Sequence, residues 1–272
     1  MPPRFDTISF LSDYGLEDEF VGVVKAVIRA IAPSVTVLDI THNIPPHDVR
    51  AGALALARSI QYLPSGVVLA VVDPGVGSER RALAVEVGDE EPAVLVGPDN
   101  GLLASAVALA GGAGRAVALT NPDYHLDAPG PTFAGRDVFA PAAAHLCLGV
   151  DIEELGERVD PYSLLPGVLP LAREEEGTVV GEILWVDRFG NAQLNVGPDD
   201  VSAMGDRLLV RIGERPPRLA LRARTYADLK AGQVGLVVDS YGLLSVVLNR
   251  RSAADELRIG TGDAVTVEIA PE

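Results

Sequence analysis

Val67-Val68-Leu69-Ala70-Val71-Val72 runs without a polar side chain into Asp73-Pro74-Gly75-Val76-Gly77-Ser78-Glu79-Arg80-Arg81. An unbroken apolar run of this length, rich in Val, reads as a strand buried on both faces, because a strand wet on one side would alternate. The strand stops on an acid and turns on Pro and two Gly. A carboxylate is thereby delivered to a loop mouth, with two cations a few residues behind it. The arrangement recurs at Ile8-Ser9-Phe10-Leu11-Ser12-Asp13-Tyr14-Gly15 and at Val94-Leu95-Val96-Gly97-Pro98-Asp99-Asn100-Gly101. Strands that each end in an acid and a glycine turn predict an open α/β sheet, which places ligands outside the carboxyl ends of its strands.

Outward from that strand, apolar runs and helical periods alternate. Strands are expected at 7–11, 36–40, 66–72, 82–87 and 93–96. Helices are expected at 19–32, 48–61, 102–110 and 140–148, with Asp48 as an N-cap and a cap near residues 16–18 for the first. Such alternation predicts an N-terminal α/β domain over residues 1–160 with a central, mainly parallel sheet. Residues 161–177 hold Pro161, Pro166, Pro170 and the charged run Arg173-Glu174-Glu175-Glu176, and read as a linker. From 178 to 272 short strands at turn-marked intervals predict a smaller all-β domain, a barrel or a sandwich. Its expected strands are 179–186, 207–212, 234–239, 244–248 and 264–269.

The chain has 272 residues and is 48% hydrophobic, enough to bury a sizeable core. Its formal charge of −16 argues against nucleic acid, which requires a basic face. One cysteine, Cys147, leaves no disulfide framework and lies in an apolar stretch, so it reads as core filler in a reducing compartment. The N-terminal segment shows no basic region followed by an apolar core, and no apolar run reaches the roughly 18 residues of a membrane span. The expectation is a soluble, cytoplasmic protein without membrane contact.

Phosphate-loop, dinucleotide, nucleophile-elbow and zinc-protease motifs are absent from the sequence. His42, His47, His125 and His145 make no metal spacing with the cysteine. The Pro45-Pro46 turn explains the polarity around His42 and His47 better than a metal does, and His145 on an apolar helix reads as core. Asp99 reads as turn chemistry. Asp73 reads as functional, because a carboxylate at the end of a buried strand costs free energy unless it is paired or used. Arg80 or Arg81 would hold it ionised, suited to polarising a water or neutralising a cationic substrate. Asp187-Arg188-Phe189-Gly190-Asn191 and Asp239-Ser240-Tyr241-Gly242 place further polar groups on tight turns.

Five segments together carry a resemblance: residues 10–15, 73–77, 98–103, Pro131-Thr132-Phe133-Ala134-Gly135-Arg136-Asp137, and 187–191. In order and spacing, over nearly the whole chain, they resemble the S-adenosyl-L-methionine hydroxide adenosyltransferase family, which also includes the fluorinase and chlorinase. The resemblance implies an α/β domain followed by a barrel-like domain, a homotrimer with sites between subunits, and no metal or other cofactor. It implies displacement at the 5′ carbon of S-adenosyl-L-methionine by water or hydroxide, giving adenosine and L-methionine. By the same resemblance Asp73 and Arg80 orient the attacking water and Asp13 takes the ribose hydroxyls. Phe133 lines the pocket near the reacting carbon. Asp187 and Ser240 hold the amino acid part, Asn191 bonds the adenine, Tyr226 packs on its face, and the backbone near Leu248 and Arg250 borders its edge.

One position departs from the pattern. Hydroxide-transferring members carry His directly after Thr-Phe, and this chain has Ala134. Three readings follow: a substituted form of an ordinary hydroxide transferase, a member that works with Asp73 and Arg80 alone, or a different nucleophile such as a halide. A non-catalytic binder of the substrate or of adenosine is a further alternative. Gly135 resembles the chlorinase at that place, but the Asp73 carboxylate repels a halide, so hydroxide transfer stands ahead. Turnover below that of a protein with His at 134 is expected.

Overall fold

The computed structural model describes residues 4–88, 92–167 and 170–271. The chain divides into two compact units, Met1–Val168 and Leu169–Glu272. Residues 168 and 169, inside the expected linker, lie outside the described residues.

The first unit carries β1 (Thr7–Ser12), α1 (Phe20–Ile31), β2 (Thr36–Thr41), α2 (Val49–Ser59), β3 (Val67–Val71), β4 (Ala82–Val87), β5 (Ala93–Pro98), α3 (Ala104–Leu109), β6 (Ala113–Leu119), α4 (Ala140–Cys147) and β7 (Gly156–Val159). They form one sheet in the order β2-β1-β3-β5-β4-β6-β7. β2, β1, β3 and β5 run parallel and make its core, while β4, β6 and β7 extend it antiparallel. The expected parallel sheet is thus its centre, and the whole sheet is mixed.

β3 shows why an unbroken apolar run suits a central strand. Val67, Leu69 and Val71 pack with α1 and α4 on one face, and Val68, Ala70 and Val72 pack with α2 and α3 on the other. Helix α1 buries Val21, Val24 and Ile28, a helical spacing that turns one stripe to the sheet. Its N-cap is Glu19 and makes no side-chain bond, so no cap forms at residues 16–18. Asp48 does cap α2, accepting from the Ala51 N–H at 2.9 Å. Cys147 is fully buried at the end of α4.

The second unit is a closed seven-stranded barrel. Its strands are β9 (Thr178–Val186), β10 (Ala192–Leu194), β11 (Arg207–Ile212), β12 (Arg218–Ala223), β13 (Val234–Val238), β14 (Leu244–Val247) and β15 (Ala264–Ile269), with a short β8 (Arg173–Glu175) added outside β9. Pairing of β10 with both β14 and β9 closes it, which removes free edges. All neighbours are antiparallel except β12 and β13. Helix α5 (Ala253–Leu257) follows Ser252, whose hydroxyl accepts from the Asp255 N–H at 3.0 Å. β8 places part of the expected linker on the barrel. Pro161–Ser163 belongs to the first unit, where Arg81 donates to the Ser163 hydroxyl at 3.0 Å.

Candidate active site

Asp73 leaves the carboxyl end of β3 as the sequence suggests, and the loop behind it brings a cation back. Val76 N–H donates to the Asp73 carbonyl at 3.2 Å and Ser78 N–H to the Gly75 carbonyl at 3.1 Å, two successive turns. Gly77 takes φ +78°, a left-handed conformation that costs a glycine nothing. Arg80 is thereby returned over Asp73. Its Nε donates to Oδ1 at 2.7 Å and its Nη2 to Oδ2, a bidentate pair with side chains only 6% (Asp73) and 15% (Arg80) exposed. The guanidinium also lies 5.2 Å from the Phe139 ring centroid. Arg81, the other cation considered, turns away to pair with Asp99 and bond to Ser163. Asp99 receives Arg81 and the Leu165 N–H, so its role is structural but lies in tying a distant segment to this loop rather than in the turn chemistry read from the sequence.

Asp13 follows β1, and its Oδ2 accepts from the His47 N–H at 2.9 Å. Tyr14, Phe20 and Phe133 form an aromatic cluster beside it, Tyr14 and Phe133 meeting edge to face at 5.7 Å. Ala134 then opens a π-helical turn, Gly135–Phe139, leading into α4. Such turns are rare and recur at functional sites. Ala134, Arg80, Asp137, His125 and Gly77 line one open cavity of about 630 Å³. Asp13, Asp73, Arg80, Phe133 and Ala134 therefore gather at one end of the first unit.

One other polar grouping proves structural. Ser12 Oγ lies 2.8 Å from His42 Nδ1, and His42 Nε2 lies 3.1 Å from Asp39 Oδ1. The order is that of a hydrolytic triad, but Ser12 is wholly buried, so no substrate reaches it. Burial alone would raise the Asp39 pKa, yet the Lys25 and His42 hydrogen bonds hold it below the ordinary value. Among the described residues no group of three or more His, Cys, Asp or Glu is placed to hold a metal. None of the described helices is long and apolar enough to cross a membrane.

On the barrel, Asp187 and Asn191 meet directly. Asp187 Oδ1 accepts from the Phe189 and Asn191 N–H groups, and Oδ2 from the Asn191 side-chain amide, each at 2.8 Å. The tight turn quoted from the sequence is therefore built around its own acid. Tyr226 stands near enough that, after burial, Asp187 and Asp239 push its pKa up. Asp239 accepts from the Gln193 side chain at 2.7 Å, the Ser245 hydroxyl at 2.9 Å and the Tyr241 N–H at 2.8 Å. Ser240 is exposed on that turn. Leu248 is buried and bridges to Arg251, with Arg250 between them at φ 57°. Sequence reasoning gave no role to Tyr14 and Phe139 at the first cluster, and at the second it named Asp239 only as part of a polar turn. Tyr14 and Asp239 each adjoin a residue singled out, whereas Phe139 carries no local sign.

Comparison with known proteins fits both halves. Residues 8–156 match the SAM hydroxide adenosyltransferase N-terminal domain and residues 181–266 the C-terminal domain. An (R)-S-adenosyl-L-methionine hydrolase of Salinispora tropica is 45% identical over 260 residues, covering 96% of this chain and 97% of that protein. A fluorinase of Nocardia brasiliensis is more distant, 27% identical over 301 residues and 98% of both chains. The crystal structure of an uncharacterized conserved protein from Thermotoga maritima aligns with TM-score 0.86 and 34% identity, over 96% of this chain and 99% of that one.

Proposed function

Because the chain belongs to the S-adenosyl-L-methionine hydroxide adenosyltransferase family, we propose that it hydrolyses S-adenosyl-L-methionine to adenosine and L-methionine. The observation that carries this reading is the bidentate Asp73–Arg80 pair at the end of a strand buried on both faces. A sulfonium is already a good leaving group. The protein's task is to line up water, the 5′ carbon and sulfur, and to keep bulk solvent out. Asp73 takes a hydrogen from the water and aims its lone pair at carbon. Arg80 keeps the carboxylate ionised and fixed, so little reorganisation is left for the reaction itself. The C–O bond forms as the C–S bond breaks with its electrons on sulfur, and the proton passes through Asp73 to solvent. A cationic substrate also suits a chain of formal charge −16. The step asks for no cofactor.

In this reading Asp13 takes the ribose hydroxyls and Phe133 lines the reacting carbon. On the barrel Asp187 and Ser240 hold the amino acid part, Asn191 bonds the adenine, and Tyr226 and the Leu248 backbone border its ring. The expected assembly is a homotrimer, and light scattering should return a mass near three chains.

The direct test is incubation with S-adenosyl-L-methionine and chromatography for adenosine. Asp73→Asn should lower the rate by about 10²–10⁴-fold. No adenosine above the uncatalysed background, from the native protein and from Ala134→His alike, would remove the reading. A 5′-chloro nucleoside in high chloride would replace it with halogen transfer.

A further inference from the structure

Tyr14 stands in the loop after β1, next to Asp13. Along the parallel pair β1–β3, Ser12 lies opposite Val71, and the Asp13 N–H donates to the Val71 carbonyl at 3.3 Å. Two residues beyond that register come Tyr14 in the loop after β1 and Asp73 in the loop after β3. Aromatic neighbours fix the Tyr14 ring: Phe10 at 6.5 Å, Phe20 at 5.7 Å and Phe133 at 5.7 Å. Its hydroxyl reaches the backbone of Gly135, where an added Cβ would overlap the oxygen and stand 3.0 Å from Cζ. Gly135 is not among the left-handed residues, so the phenol, not the backbone, explains why no side chain sits there. Residue 134, the alanine, is one step away.

The hydroxyl has no hydrogen-bond partner among the described residues, and it is not one of the sealed, unpartnered polar atoms. Four charged groups act on it. Burial first, then Asp13, Asp73 and Asp137, push its pKa well above the ordinary phenol value, with Arg80 opposing. Tyr14 is therefore a neutral phenol at working pH, able to donate and to accept.

We propose that the Tyr14 hydroxyl is the third group on the attacking water, beside Asp73 and Arg80, serving where residue 134 offers only a methyl group. This rests on the reading of the site as a water-using one. The water gives one O–H to the Asp73 carboxylate and the other to the Tyr14 oxygen, which leaves a lone pair facing the 5′ carbon. The O–C bond forms, the C–S electron pair stays on sulfur, and the proton leaves through Asp73. Tyr14 remains a phenol throughout.

The test is the kinetics of adenosine formation by the native protein and by Tyr14→Phe, with thermal midpoints for both. Phe keeps the ring contacts, so the midpoint and KM should hold while kcat falls about 10–100-fold, the worth of a hydrogen bond in a charged site. A second variant, Gly135→Ala, displaces the hydroxyl without deleting it. It should lower kcat in the native background and much less on top of Tyr14→Phe. An unchanged kcat in Tyr14→Phe, or equal losses from Gly135→Ala in both backgrounds, would overturn the role of Tyr14 and leave the hydrolase reading standing. Absence of adenosine from the native protein would instead sink this inference, and absence from Ala134→His as well would sink the hydrolase reading with it.

Discussion

At the scale of single residues, the centre of the site is a carboxylate whose charge is held by geometry. Asp73 is nearly buried, and both of its oxygens are taken by one guanidinium. Breaking such a pair strands a charge, so Arg80 is as necessary as the acid it holds. The sequence alone brought out Asp73 because an acid at the end of six apolar residues has few bland explanations. It left Arg80 and Arg81 open, since both lie within a loop's reach. Only the turns at Asp73 and Gly75 separate them, sending Arg80 to Asp73 and Arg81 to Asp99. Tyr14 was illegible for a different reason: its meeting with Gly135 joins positions more than a hundred residues apart, and no local pattern encodes it. Ala134 lies on the cavity that Arg80 also lines. An imidazole introduced by Ala134→His should therefore find the water and raise kcat, by up to about 10²-fold. Adenosine release in single-turnover kinetics reads this directly, and equal rates would show that the position has no access to the nucleophile.

At the scale of elements, the legible pieces are those whose pattern has one meaning. β3 is apolar on both faces because helices cover both. The Asp48 cap was readable because an N-cap is local chemistry, decided within three residues. Asp48→Ala should cost about 1 kcal/mol of stability, seen as a lowered denaturation midpoint with activity kept below it. The strands that escaped reading are β6, β7, β8, β10 and β12, and β6 and β12 show why. Ala113-Gly114-Arg115-Ala116 offers small and charged residues with weak strand preference, and Arg218-Leu219-Ala220-Leu221-Arg222 fits a helix as well as a strand. What fixes them is pairing: β6 lies between β4 and β7, and β12 between β11 and β13. Single-sequence patterns do not report on such partners.

At the scale of the whole molecule, each unit has its own core, and the first unit sets the sensitivities to pH and to thiol reagents. His125 and His145 are both held below the ordinary imidazole value by burial. The unfolded chain therefore takes up protons first, and their contribution, full above about pH 6.5, is lost as pH falls toward the folded-state values. Asp39 and Asp151 are also lowered, so they add a second loss of the same sign below about pH 4. The thermal midpoint should fall between pH 7.5 and 5.5, and His145→Gln should flatten part of that slope. A midpoint indifferent to pH over this range would contradict it. Cys147 has a practical corollary. Its thiol is fully buried and pushed up to about 12 by burial and by Asp6, and it is the only cysteine in the chain. A thiol so protonated and enclosed does not react. The native protein should ignore a disulfide-exchange dye and release one equivalent of colour only in denaturant. Fluorophores or spin labels could then be attached at any engineered surface cysteine while the natural one stays silent.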